Sequence, residues 1–252
     1  MVGKAAASMD VSSLLILPGE KNMLKGIIFD MDGVLINTEP LHYRVWKKTF
    51  QEKGLEIEYK HYKGCIGSTV GYLLDLIQKY YGIDFHDDLD LVPLQRKNKA
   101  EMIAKEGFPT IPGVPQMLRR VYESGFLMAV ASSSPDVYIN QVVEMLEVKK
   151  YFQVLCSGEN VKNPKPAPDV FLKAAKELEL SPDECLVIED STNGCRAAKA
   201  AGMICLGYHN PDSGDQDLSI ADGVIDDYEK LDAGFLQGIY DMSCKSKQNR
   251  IE

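Results

Sequence analysis

An α/β fold is what three features of this chain predict: a doubly wound, Rossmann-like parallel sheet between two helical layers, with an inserted α-helical cap. Short runs of consecutive apolar residues stop abruptly at polar ones. Stretches of helical periodicity alternate with those runs. One segment, from about residue 40 to 106, drops the alternation and carries helical patterns alone. Alternation of this kind implies right-handed βαβ units, and ligands of such sheets sit at the carboxyl ends of the strands.

In chain order, the first strand is Gly26-Ile27-Ile28-Phe29, ending at Asp30. Leu41, Val45, Trp46 and Phe50 then predict a helix, Val70, Leu73, Leu74 and Ile77 a second, and Leu91 to Ile103 a third. Val114, Met117, Leu118 and Val121 fall at i, i+3, i+4 and i+7, the spacing of one buried helical face. Phe126 to Val130 reads as a strand ending at Ala131-Ser132, and Ile139, Val142, Val143 and Leu146 as the next helix. Phe171, Ala174, Ala175 and Leu178 predict another, before the strands Leu186-Val187-Ile188 and Met203 to Leu206. The strands are continuously apolar rather than alternating, as in a parallel sheet covered on both faces. The expected division is a core of 23–39 and 107–240, a cap of 40–106 and a polar, frayed tail from 241 to 252. Residues 1–22 read as a tag or loose extension, with Met23 as the start of the native chain.

Composition narrows the function. With 28 Lys and Arg against 37 Asp and Glu, the net charge is −9. A general nucleic-acid or anionic-membrane partner is therefore not expected. No window approaches the ~18 consecutive apolar residues of a membrane span. The six cysteines (65, 156, 185, 195, 205 and 244) form no CxxC pair, so neither a zinc ribbon nor a disulfide scaffold is expected, and a reducing cytoplasm is the expected setting.

The polar strand ends carry the chemistry. Asp30 and Asp32 lie two residues apart, before Gly33. Two carboxylates so close need a cation or a shared proton. From Lys25 to about Asp227 the chain resembles the haloacid dehalogenase superfamily of phosphotransferases, through four motifs in order. These are Asp30–Thr38, which follows the DxDGxxxDT/S pattern with Asn37 in place of the frequent Asp; Val130-Ala131-Ser132-Ser133; Lys165 among Pro164, Pro166 and Pro168; and Glu189-Asp190 after an apolar strand.

The resemblance implies a role for each. Asp30 would be the nucleophile, forming an aspartyl phosphate, and Asp32 the general acid and base. Ser132 Oγ, the Ser133 N–H and Lys165 would hold phosphoryl oxygens. Mg²⁺ would be held by Asp30, the carbonyl of Asp32 and Asp190, with Glu189 acting through water. Those requirements match the physics of phosphoryl transfer: an in-line nucleophile, a charge clamp, and a proton donor for the leaving group. A binding module without activity would need neither the nucleophile nor the acid.

In this family a helical insertion after the first motif closes over the site and selects the substrate. Its position here matches the subgroup that includes β-phosphoglucomutase and many sugar- and polyol-phosphate phosphatases. His42 and Trp46 follow the first motif as in the mutase, and Lys63-Gly64 and Arg96-Lys97-Asn98 also resemble its cap, so His42, Trp46, Lys63, Lys97 and Asn98 are the expected substrate-side residues. The mutase carries an arginine shortly after the cap glycine, whereas this chain reads Gly64-Cys65-Ile66-Gly67-Ser68-Thr69. A lost bidentate arginine weakens the grip on a second phosphate. Together with Glu39-Pro40-Leu41, this favours a Mg²⁺-dependent phosphatase of small phosphorylated metabolites, acting as a monomer, over the alternative, a β-phosphoglucomutase.

Overall fold

The computed structural model describes residues 23–66 and 69–248, so the expected extension 1–22 lies outside the described residues. In chain order the elements are β1 (Gly26–Phe29), α1 (Thr38–Glu52), α2 (Tyr59–Tyr62), α3 (Val70–Tyr81), α4 (Leu91–Glu106), α5 (Val114–Glu123), β2 (Leu127–Ser132), α6 (Asp136–Met145) and β3 (Val154–Ser157). Then follow α7 (Asp169–Glu177), β4 (Cys185–Glu189), α8 (Thr192–Ala200), β5 (Ile204–Tyr208), β6 (Gly223–Ile225) and α9 (Ala233–Gln248).

Among the described residues the six strands form one sheet in the order β3-β2-β1-β4-β5-β6, with every pairing parallel. This is the doubly wound class expected. Ile27 and Phe29 pack into one core with Val114, Leu118, Ile139 and Leu236, while Ile28 packs into another with Phe171, Ala174, Cys195 and Ala198. Both faces of β1 are thus dry, which is why the strand reads as an unbroken apolar run. The strand order reverses between β1 and β4. Phe29 aligns with Val130 of β2 and Ile188 of β4, so the polar residues that follow each strand emerge on one edge of the sheet.

Residues 38–106 are helical where they are regular. They enclose a separate apolar cluster that includes Trp46, Phe50, Ile57, Leu73, Ile77 and Leu91. Leu41, Val45 and Ile103 instead join the core beneath the sheet, so α1 and α4 are rooted in both clusters.

Several elements escaped the sequence pattern. β3 is only four residues long, and β6 lies at the sheet edge with Val224 exposed. The helix α8 has Gly194, Cys195, Ala197 and Ala198 as its buried face, residues too small to stand out as apolar periodicity. The expected polar tail from 241 is corrected: α9 continues to Gln248, and Ser243 is buried within it. Among the described residues no helix is long and apolar enough to cross a membrane.

Candidate active site

A cavity of about 270 Å³ opens at the carboxyl ends of β1, β2 and β4, the place where a doubly wound sheet reverses its strand order. All seven residues expected at the core of the site line it: Asp30 and Asp32 after β1, Ser132 and Ser133 at the end of β2, Lys165 before α7, and Glu189 and Asp190 at the end of β4.

Lys165 binds the acidic groups into one network. Its Nζ donates to Asp30 Oδ1 (2.5 Å), Glu189 Oε1 (2.9 Å) and the Ala131 carbonyl (3.2 Å), using the three donors of an ammonium. The Phe171 ring lies 4.6 Å from the same nitrogen. Burial disfavours the lysine's charge, but the Asp30 and Glu189 carboxylates outweigh it and hold the ammonium above its usual range. Burial pushes the Asp30 carboxyl up to about 7, against the opposing pull of Lys165. Burial, then the charges of Glu189 and Asp30, raise Asp190 as well.

Asp32 is held differently. Thr38 Oγ1 donates to its Oδ1 (3.0 Å) and Ser134 Oγ to its Oδ2 (2.9 Å). Two neutral donors fix the carboxyl at the cavity wall. Ser132 is buried, and its Oγ accepts from the Ser134 N–H (3.0 Å); Ser133 is exposed. The helix that follows begins only at Asp136, with Pro135 at its cap position. The serine run therefore belongs to the turn at the end of β2. Asn37 donates to Asp212 Oδ2 (2.6 Å), and Asn210 donates to the Gly33 carbonyl (3.1 Å), which anchors the first-motif loop to the segment after β5.

The donor set fits a hard divalent cation. Among the described residues the cavity is lined by five acidic ones, Asp30, Asp32, Glu39, Glu189 and Asp190, and by one basic one, Lys165. A phosphate entering that field needs further positive charge. Among the described residues no three His, Cys, Asp or Glu side chains form a ready cage. Mg²⁺ does not require one, since it is usually held by one or two carboxylates with water and substrate phosphate oxygens. Asp190 receives the Ser213 hydroxyl on Oδ2 (2.5 Å) and presses on Gly33, where a Cβ would fall 1.9 Å from that oxygen. Gly33 also has φ +86°, so both space and backbone demand glycine. Glu189 is more committed than expected: Oε1 holds Lys165, while Oε2 accepts from the Ser191 N–H (2.7 Å) and hydroxyl (2.9 Å).

The cap residues divide. His42 and Trp46 line a second cavity of about 410 Å³ beside the first, and Glu39 lines both. Trp46 also stacks on Phe50 at 5.5 Å, so it is core and wall at once. Lys63 is exposed and lines neither cavity. The Lys97 side chain is 69% exposed and lies 3.8 Å from Glu101. Asn98 is buried and donates to Thr49 Oγ1 (3.2 Å), an internal tie between α4 and α1. The structure thus brings His42 and Trp46 to the site and leaves Lys63, Lys97 and Asn98 away from it. Helical phase accounts for this: α4 turns Lys97 outward, while Lys99, two residues on, faces Tyr138 and His42.

Lys99, Ser134, Ser213 and Gly194 are neighbours of the site that sequence reasoning missed. They come from loops and helix faces with no local signature. Gly194 opens α8, and a Cβ there would fall 1.6 Å from Glu189 Oε1. Gly194→Ala should displace Glu189 and loosen Lys165, at a cost of about 1–3 kcal/mol, typical of overpacking. The expected outcome is a Tm lower by several degrees with activity reduced at least about tenfold. Unchanged melting and activity would contradict the close approach.

Lys99 Nζ lies 4.4 Å from the centre of the Tyr138 ring and 3.4 Å from His42 Nε2. Tyr138 Oη is the one buried side-chain polar atom without a hydrogen-bond partner among the described residues. Removing an unsatisfied hydroxyl while keeping the ring is neutral to stabilising, by up to about 1 kcal/mol. Tyr138→Phe should therefore raise Tm by about 0–4 °C in thermal unfolding. A fall of several degrees would mean that the hydroxyl is used.

The family model described as haloacid dehalogenase-like hydrolase matches residues 27–208. Hexitol phosphatase B of Escherichia coli (strain K12) is 30% identical over 219 residues, covering 84% of this chain and 96% of that protein. Fructose-1-phosphate phosphatase YqaB of the same strain is 31% identical over 180 residues, covering 71% and 93%. The crystal structure of β-phosphoglucomutase from Clostridium difficile is similar with a TM-score of 0.67 at 26% identity, covering 88% of this chain and 99% of that one.

Proposed function

This chain belongs to the haloacid dehalogenase-like hydrolases, and from that premise we propose that it is a Mg²⁺-dependent phosphatase releasing inorganic phosphate from small sugar or polyol monophosphates through a phosphorylated Asp30. Lys165 holds Asp30 Oδ1, which leaves the other carboxylate oxygen to attack phosphorus. As that bond forms, the ester P–O bond breaks, and Asp32 delivers a proton to the departing oxygen. Asp32 then removes a proton from water, whose oxygen bonds to phosphorus as the bond from phosphorus to the Asp30 oxygen breaks, freeing the carboxylate and inorganic phosphate. Thr38 and Ser134 keep Asp32 oriented through both proton transfers. Ser132 and the Ser133 N–H supply donors to the phosphoryl oxygens, and Lys165, its three N–H groups held by Asp30, Glu189 and the Ala131 carbonyl, supplies positive charge beside them. Asp30, Asp190 and the Asp32 carbonyl would hold Mg²⁺, which when bound supplies charge neutralisation between carboxylates and phosphate.

The observation that carries hydrolysis over the mutase reading is the second cavity. Among the described residues, those that line it (Glu39, His42, Trp46, Tyr62, Cys65, Thr69, Val70, Leu73 and Gln95) include no lysine or arginine. A mutase must grip a second phosphate so that binding energy drives closure and excludes water. Supplying β-glucose 1-phosphate with a trace of the 1,6-bisphosphate tests the choice. Free phosphate should accumulate, with glucose 6-phosphate only a minor product. Faster formation of glucose 6-phosphate would replace this reading with the mutase.

Cysteines 156, 185, 195 and 205 are buried thiols, which supports a reducing compartment such as the cytoplasm.

A further inference from the structure

Lys165 ties down two of the three carboxylates around it and leaves the third. Its ammonium donates to Asp30 and Glu189. Among the described residues, the one hydrogen-bond donor to the Asp190 carboxylate is instead the Ser213 hydroxyl, 2.5 Å from Oδ2. The same oxygen is wedged against Gly33, where a Cβ would fall 1.9 Å away. Oδ2 is therefore fixed, and Oδ1 is the oxygen left without a donor from the described residues. Asp190 and Ser213 are buried, 6% and 7% exposed, and both line the phosphate-side cavity. The Asp30 and Glu189 carboxylates press on Asp190 with like charge, which Lys165 offsets only through space. A carboxylate in that field turns away from its neighbours unless a donor holds it.

The loop that carries Ser213 is braced without using the hydroxyl. The Ser213 N–H donates to the Asn210 carbonyl (3.1 Å), and the Ser213 carbonyl accepts from Gln216 Nε2 (3.0 Å). Asn210 is itself buried: its Nδ2 donates to the Gly33 carbonyl (3.1 Å), and its Oδ1 accepts from the Asp212 N–H (2.9 Å). Gln216 Oε1 accepts from the Thr192 N–H (3.0 Å), at the first turn of α8. The loop is thus pinned both to the first-motif loop and to the helix that follows Asp190. We infer that Ser213 is a positioning residue for the metal site: its hydroxyl clamps Asp190 Oδ2 so that Oδ1 is presented to Mg²⁺. Partners of this kind hold ligating carboxylates in the geometry that a small, octahedral cation demands. The inference rests on the Mg²⁺-dependent reading and adds to it a residue far along the chain from every motif.

The test is the affinity for Mg²⁺ itself, on the full chain without substrate, by calorimetry and by the rise of Tm across a Mg²⁺ titration. Ser213→Ala keeps both backbone bonds of the loop and removes only the clamp. Its Kd for Mg²⁺ should rise by about 10–100-fold, the usual effect of losing such a partner. Ser213→Thr, which restores a hydroxyl, should stay within about threefold of the natural chain. The Mg²⁺ concentration giving half-maximal p-nitrophenyl phosphate hydrolysis should move in parallel with Kd. A Kd that Ser213→Ala leaves within about twofold would overturn the inference, even if Tm in metal-free buffer fell, because that pattern marks a merely structural contact. If Ser213→Ala does not fold, Ser213→Cys decides: the thiol is similar in shape and a weak donor, so Kd should still rise by at least about fivefold, and an unchanged value would overturn the inference. A natural chain that neither binds Mg²⁺ nor hydrolyses p-nitrophenyl phosphate in its presence would overturn the Mg²⁺-dependent phosphatase reading and this inference together. Mg²⁺ binding indifferent to the hydroxyl would remove only the role of Ser213.

Discussion

Asp30→Asn should abolish turnover and leave the fold in place, with kcat lower by more than about 10³-fold. The amide is nearly isosteric with the carboxylate and can still accept from Lys165, but it cannot attack phosphorus. Activity within tenfold of the natural chain would remove Asp30 from the mechanism.

The same substitution has a signature in stability. Burial raises the Asp30 carboxyl from an ordinary 3.8 to about 7. Between those values the unfolded chain has released the proton and the folded one retains it. The folded state therefore binds more protons, and stability falls as pH rises through that window. Asp190 is raised for the same reason and adds the same sign. In metal-free buffer the natural chain should lose stability from about pH 4 to pH 7, and Asp30→Asn should flatten the slope. Mg²⁺ should restore stability at pH 7 in the natural chain. Denaturant melts at several pH values, with and without Mg²⁺, provide the check. A slope that Asp30→Asn leaves intact would show that this carboxyl is not the one titrating.

Lys165→Met should be the most damaging single change to the folded state. The lysine and its two carboxylate partners are almost fully enclosed, with side-chain exposures of 7% for Lys165, 9% for Asp30 and 2% for Glu189. Methionine keeps most of the chain volume and its packing on Phe171. It removes the only basic group among the described residues that line the cavity and leaves two buried carboxylates facing each other. Breaking a buried ion pair from one side typically costs about 3–5 kcal/mol, because the orphaned charge stays buried. At about 2–4 °C per kcal/mol for a chain of this size, a Tm lower by roughly 10 °C is expected. Activity should fall too, since the group that fixes Asp30 is gone. The loss of stability should shrink at low pH, where the carboxyls are neutral, and that distinguishes an electrostatic cause from a packing defect. A Tm within about 2 °C of the natural chain at neutral pH would contradict the network.

The core of the site was legible in the sequence because each of its groups sits at the end of a run that must be a buried strand. Apolar continuity locates β1, β2 and β4, and a parallel sheet delivers their carboxyl ends to one edge. Asp30, Ser132 and Glu189 are therefore neighbours as a consequence of topology, although they lie up to 159 positions apart. Lys165 has no strand of its own, and only its resemblance to a family motif marked it.

What stayed hidden depended on contacts between distant segments. Which cap lysine faces inward is a matter of helical phase: Lys97 and Lys99 are two residues apart on α4 and point to different sides. Asn98 looked like a substrate ligand and is instead a buried tie to Thr49. Ser213 reaches Asp190 from a loop 23 residues further along, and Gly194 matters because the Glu189 carboxylate occupies the space of its missing side chain. The position of Glu39 between two cavities exists only once α1 has packed against α4 and the sheet. Strand ends are local properties of a chain, set by where apolar runs stop. The direction of a side chain on a packed helix is set by every partner of that helix at once, and only the tertiary structure decides it.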